Sequence, residues 1–190
     1  MSRMKVSFVP LPELHLKLRN LADELVASNA PPKQRDLRKQ GQKKTREMHQ
    51  AAIFARAVQG TFEVVPTEMM VGFPEEEYCD FDTILLWKKQ GKVTRLNVQL
   101  KELPPARLAP RATIDEIIGK VIKKLRRSPD VLVAIFANRG DGPQRIEVPH
   151  HGLAGVCAYG FNGLNPRTIF VVGYIGETRI DATIPLKFGI

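Results

Sequence analysis

Apolar and polar positions alternate most regularly in "VTRLNVQLKEL" (93–103), where Leu96, Val98 and Leu100 point one way and Arg95, Asn97, Gln99 and Lys101 the other. A period of two predicts a strand with one face in a core. "DFDTILLWKK" (80–89) reads as a strand just before it, and the intervening "KQGK" is a short glycine-containing turn that closes a hairpin. "TFEVVPTE" (61–68) is β-prone and then broken by Pro66. "VLVAIFAN" from residue 131 is apolar throughout, the pattern of a strand covered on both faces. Two further strands are expected in the tail, "QRIEVP" (144–149) and "RTIFVVGYIG" (167–176).

Helical periodicity appears in three places. Leu11, Leu14, Leu18, Leu21 and Leu25 predict an amphipathic helix that "NAPP" (29–32) stops, because two prolines cannot continue it. "KKTREMHQAAIFARAVQG" carries a stripe of Met48, Ala51, Ala52, Ala55 and Val58, with Glu47 at its edge and Gly60 as a carboxyl-terminal stop. "TIDEIIGKVIKKLRRSPD" is the clearest helix: Thr113 and Glu116 have capping-box spacing, Ile114 through Leu125 supply the apolar face, and Pro129 ends it. "PPARLAPRA" (104–112) is a loop. The order helix, strand, hairpin, helix, strand implies an α/β protein with a central mixed sheet flanked by helices. Three stretches are expected: an amino-terminal helix and basic segment (1–42), a core (43–140), and glycine-rich strands (141–190) that complete or extend the same domain.

Composition narrows the class. At 190 residues and 43% apolar, the chain has room for one sizeable core and is not a wholly disordered polymer. Its apolar runs are strand length, so no membrane span is expected, and nothing near the amino terminus marks secretion. Cys79 and Cys157 show neither metal spacing nor a disulfide framework, which points to a cytoplasmic or nucleoid-associated protein.

The formal charge of +9 favours polyanionic partners, nucleic acid first among them. Seven bases stand against Asp36 alone in residues 33–46: Lys33, Arg35, Arg38, Lys39, Lys43, Lys44 and Arg46. Together with Lys120, Lys123, Lys124 and Arg127 of the later helix they are the expected phosphate contacts. A solvated basic face is an equal reading of both groups. Five acids gather instead in "EEEYCDFD" (75–82), of which Glu75, Glu76 and Glu77 read as a solvated loop tip.

The remaining polar residues carry the chemistry. Asp82 opens one strand, and Gln99 and Lys101 share a face of the next one across the hairpin, so the three meet if the register permits. An acid opening one strand, a polar-x-Lys triplet on its hairpin partner, then a helix and a further strand, resembles the PD-(D/E)xK nuclease superfamily. The features that carry the resemblance are Asp82, "QLK" (99–101), the 113–127 helix and "VLVAIFAN", over roughly residues 43–137. Glu47 falls where members often place a glutamate on the preceding helix. The resemblance implies a restriction-endonuclease-like core (α-β-β-β-α-β) and hydrolysis of phosphodiester bonds in DNA or RNA. It also implies Mg²⁺ or Mn²⁺ held by Asp82, Gln99, Glu47, the Leu100 carbonyl and Asp80, with Lys101 orienting the attacking water.

Gln99 stands where the family has an acid. An amide oxygen ligates hard cations but brings no charge, so the same sequence fits a catalytically silent nucleic-acid-binding or nucleoprotein-assembly protein on this fold. A homodimer is compatible with either, and the sequence does not fix the oligomeric state. Lys101 and Asp82 also have bland readings, as a solvated lysine and a turn residue. His150 and His151, in a Gly/Pro loop, and Asp141, in "RGDG", read as surface residues, and Trp87 as packing. Glu102 points away from Gln99 and Lys101 and is the poorer site residue.

Overall fold

The structure, a computed structural model, describes residues 4–27, 43–75, 79–125, 128–139, 152–163 and 165–186. Among these residues the chain forms one eight-stranded mixed sheet whose strands lie side by side in sequence order. The strands are β1 (Val6–Pro10), β2 (Met70–Pro74), β3 (Thr83–Lys89), β4 (Lys92–Leu103), β5 (Val131–Ala137), β6 (Gly155–Asn162), β7 (Asn165–Ile175) and β8 (Thr178–Pro185). Three helices accompany them, α1 (Leu11–Ala27), α2 (Lys43–Thr61) and α3 (Ile114–Lys124). Strands β4, β5 and β6 are parallel, and every other neighbouring pair is antiparallel.

The β3–β4 hairpin has a local cause. Gln90 and Gly91 both take positive φ (52° and 77°), which a two-residue turn between right-twisted strands requires. That turn sets Lys89 opposite Lys92 and carries the pairing without a slip to Thr83 opposite Val98. The expected helix after β4 also forms as its sequence indicates, with the Thr113 hydroxyl accepting from the Glu116 amide at 3.2 Å.

Two layers cover the sheet. On one face α2 packs on Val71, Leu85, Val98, Leu100, Leu132, Phe136 and Tyr159, and α1 adds Leu11, Leu14 and Leu18 to the same core. On the other face Ile114, Ile118, Val121 and Leu125 pack on Val131, Val133, Ile135, Val156 and Ala158. All seven residues of β5 are buried, as its unbroken apolar run predicts.

Four expectations need revision. The amino-terminal lead-in is integral: β1 pairs with β2, and α1 shares the core with α2. The α2 stripe is too narrow, because residues 51–55 are all buried with α1 on one side and the sheet on the other. Gly60 does not stop α2, which runs on to Thr61; a Cβ at Gly60 would lie 2.5 Å from the Ile184 side chain, so the glycine lets β8 approach. Residues 61–68 form the helix end and a 3-10 turn (Pro66–Glu68), and the strand is β2 instead. The expected strand at 167–176 corresponds to β7, which starts two residues earlier and ends at Ile175, whereas 144–149 is outside the described residues.

Candidate functional site

β4 outlasts its hairpin partner. β3 begins at Thr83, so beyond Val98 strand β4 has β5 along one edge and, among the described residues, no strand along the other. Asp82 is the next residue back from Thr83 and therefore falls opposite Gln99, the next residue on from Val98. Its amide still donates to the Val98 carbonyl at 2.9 Å, but its carboxylate replaces the ladder. Asp82 Oδ2 accepts from the Leu100 amide at 2.7 Å and from Gln99 Nε2. The Leu100 carbonyl points to the same open edge as its amide, since both groups of one strand residue lie on one side.

Gln99 and Lys101 share the α3 face, as their alternation requires, and Gln99 is buried at 6% exposure. Lys101 is half-buried and makes neither a hydrogen bond nor an ion pair with another described residue. Burial is the main force on its ammonium and pushes the pKa down; the Asp82 and Glu47 carboxylates hold it up, and Lys124 and Lys43 push it down further. Glu47 is half-buried on the first turns of α2, with Lys43 Nζ 3.6 Å from its carboxylate. Its pKa is raised, first by burial and then by the Asp82 charge. Glu47, Asp82 and Lys101 therefore feel one another's charge around the open end of β4, while Lys43 and Lys124 reach the same field from two helices.

The opposite face of the same strand end carries a second polar group. Glu102 Oε2 accepts from Gln50 Nε2 at 3.1 Å, and Oε1 accepts from Asn138 Nδ2 at 2.9 Å. Arg46 Nε lies 3.9 Å from Oε2. The Gln50 carbonyl in turn accepts from the fully buried Tyr159 hydroxyl at 3.1 Å. Sequence reasoning set Glu102 aside because it faces away from Lys101, and it gave no part to Gln50 or Asn138. One signal was available: Glu102 continues the row Leu96, Val98, Leu100, and a carboxylate at the end of a core-facing row needs partners.

Other expected residues lie elsewhere. Asp80 is exposed and accepts from the Ser128 hydroxyl, so it braces the turn before β5 rather than joining Asp82. Lys43, Lys44, Lys120, Lys123 and Lys124 are exposed and Arg46 is partly buried. Lys33, Arg35, Arg38, Lys39, Arg127, Glu76, Glu77, Asp141, His150 and His151 are outside the described residues. Trp87 is buried in the core, stacked on Phe62 with ring centroids 6.2 Å apart.

The donors available to a cation are the Asp82 and Glu47 carboxylates, the Leu100 carbonyl and the Gln99 amide, whose oxygen a half-turn of the amide would present. No group of three His, Cys, Asp or Glu residues suited to a metal occurs among the described residues. An all-oxygen set of this kind fits a hard ion such as Mg²⁺ or Mn²⁺ and does not fit zinc or copper, which favour nitrogen and sulfur. No helix among the described residues is long and apolar enough to cross a membrane. No protein-family model, no curated protein and no solved structure matches this chain.

Proposed function

We propose that the chain is a metal-dependent nuclease of the PD-(D/E)xK kind, hydrolysing phosphodiester bonds in DNA or RNA. One observation carries the reading. At the open end of β4 the Leu100 amide fixes the Asp82 carboxylate, and the next residue, Lys101, holds a half-buried ammonium that closes no ion pair with another described residue. Burying a charge without a fixed partner costs stability, so a group kept that way fits a role toward something that arrives from solution. The element order from α2 to β5, α-β-β-β-α-β, supports the same assignment.

In this reading Asp82, Glu47, Gln99 and the Leu100 carbonyl would hold Mg²⁺ or Mn²⁺, which would supply charge neutralisation at the phosphoryl oxygens. The residues of the chain do the rest. Lys101 donates hydrogen bonds to the attacking water and to the charge that develops on the phosphoryl group. Burial lowers the cost of its giving up a proton. The Leu100 amide fixes the Asp82 carboxylate, so that the open edge of β4 keeps one geometry. Lys43 and Lys124 act on the charges at that edge, and with Lys44, Arg46, Lys120 and Lys123 of the same two helices they would offer phosphate contacts.

A second reading has its own observation. The Gln99 amide donates to Asp82, so a neutral group already satisfies a carboxylate oxygen that a cation would otherwise occupy. This favours a silent site on a protein that binds nucleic acid. Cleavage of a DNA and RNA panel with Mg²⁺ or Mn²⁺ separates the two, comparing wild type with Lys101→Ala and Asp82→Ala. Cutting that is lost in both variants, with binding retained, supports the nuclease. Salt-sensitive binding without cutting in either metal leaves the silent reading.

A further inference from the structure

We infer that Glu102 is a positioning residue, which locks the first turns of α2 to the open end of β4 and so sets where Glu47 and Arg46 stand relative to Lys101. The inference rests on the nuclease reading for what the site does, but the placement is carried by contacts on the other face of the sheet. Glu102 follows Lys101 directly, so one strand segment delivers the ammonium to one face and the carboxylate to the other. Its two oxygens are each taken by a side-chain amide, Gln50 from α2 at 3.1 Å and Asn138 from the end of β5 at 2.9 Å.

The other groups in this network tie the same parts together. The Asn138 amide nitrogen donates to the Leu103 carbonyl at 3.1 Å, which fixes the residue that presents Nδ2. Tyr159 of β6 donates to the Gln50 carbonyl at 3.1 Å, and its ring packs on Phe54 of α2 at 5.0 Å. Thus α2 is held to β4, β5 and β6 at one level. That level is one helical turn from Glu47, which lies three residues before Gln50.

A carboxylate is the side chain that suits this position. It offers acceptors only, and it meets two amide donors and a guanidinium. A glutamine there would set one of its own N–H groups against a donor until the Gln50 or Asn138 amide turned over. The two glutamates of the region therefore divide the work: Glu47 interacts with the Asp82 charge, and Glu102 holds the helix that carries Glu47. A partner that holds a ligand in place commonly changes metal affinity or activity by about 10–100-fold when it is removed.

The test compares wild type, Glu102→Ala, Glu102→Gln and, at the far end of the same helix, Arg56→Ala. Backbone hydrogen exchange is followed along α2, and Mn²⁺ is titrated into each protein alone. The expected result for Glu102→Ala is faster exchange confined to residues 43–50 and Mn²⁺ affinity lower by about 10–100-fold. Glu102→Gln should fall between it and wild type, because an amide flip rescues the second bond. Arg56→Ala should leave both readings over 43–50 unchanged. If Glu102→Ala exchanges like wild type over 43–50, or loosens the whole sheet equally, the positioning role is overturned; if that variant does not fold, Glu102→Gln carries the same criterion. Cleavage by the wild type is scored separately. Localised loosening in a protein that never cuts would overturn the nuclease and keep the anchor, while cutting without localised loosening would do the reverse.

Discussion

The two faces of β4 at its carboxyl-terminal end make an instructive pair. On the α2 side, Glu102 has both oxygens matched by amide donors and a guanidinium close by. On the α3 side, one residue earlier, the Lys101 ammonium is half-buried, and nothing among the described residues bonds to it. The two residues are consecutive on one strand and both part-buried; the difference is whether other side chains of the protein bond to the polar group. A protein-bonded network rigidifies its surroundings, whereas a half-buried charge left to solvent adds no such brace. That contrast separates the residues that hold the scaffold from those assigned to chemistry.

The largest effect is expected on the Lys101 side. If the proposed nuclease reading holds, Lys101→Ala lowers the rate of metal-dependent cleavage by about 10²–10³-fold, the usual scale for one preorganised donor at developing charge. Its melting temperature should not fall, because a half-buried charge has been removed. A cleavage time course beside a thermal melt checks both halves, and a clear loss of stability would show that Lys101 belongs to the scaffold after all.

The matched side should answer in the opposite way. Gln50→Ala takes one donor from Glu102, and the expected cost is about 1–3 kcal/mol of folding stability. Urea denaturation would read it as a lower midpoint with an unchanged slope.

pH sharpens the comparison further. Glu47 has a folded-state pKa above its ordinary value, through burial and the Asp82 charge. The stability linked to a raised pKa is fully present below the unfolded value and is lost as pH rises through the folded value. At neutral pH the ionised Glu47 is therefore a net burden. Glu47→Gln should melt higher than wild type at pH 7, and the gap should close as the pH falls toward the ordinary carboxyl range. Melts across a pH series would show a sloping difference; a flat one would mean that Glu47 is an ordinary surface glutamate.

The smallest effect belongs to the outer charges. Replacing the exposed Lys123 with Ala should weaken nucleic-acid binding equally for all sequences and reduce the salt slope by about one. Binding isotherms at several salt concentrations measure that slope, and an unchanged value would remove this face of α3 from the contact surface.

Legibility from sequence differed from strand to strand. The β3–β4 hairpin was readable because alternation and a short glycine-containing turn agree, and β5 because its apolar run is unbroken. β2 and β6 were missed because their glycines look like turn residues. Gly72 instead leaves room for Phe8 on β1, where a Cβ would meet the ring at 2.4 Å. Gly160 brings β6 toward the Ala137 carbonyl, which a Cβ would approach to 2.7 Å. β1 and β8 are edge strands with short or half-exposed patterns; β1 depends on β2, a partner distant in the chain, whereas β8 pairs with the strand just before it.

The sequence by itself determined the elements whose causes are local. It set the strand period that puts Gln99 and Lys101 on one face, the turn that pairs β3 with β4, and the Thr113 cap that starts α3. It also set the basic balance of the chain. Only the tertiary structure decided that β3 stops where Asp82 meets Gln99 and leaves the edge of β4 open, and that Glu47 reaches the same field from α2. It alone turned Asp80 to Ser128 and gave Glu102 its amide partners, Gln50 and Asn138, which lie 52 and 36 residues away in sequence. The physical reason is range: periodicity, turns and caps act between near neighbours, whereas the partners of a buried polar group are whichever residues packing brings to it.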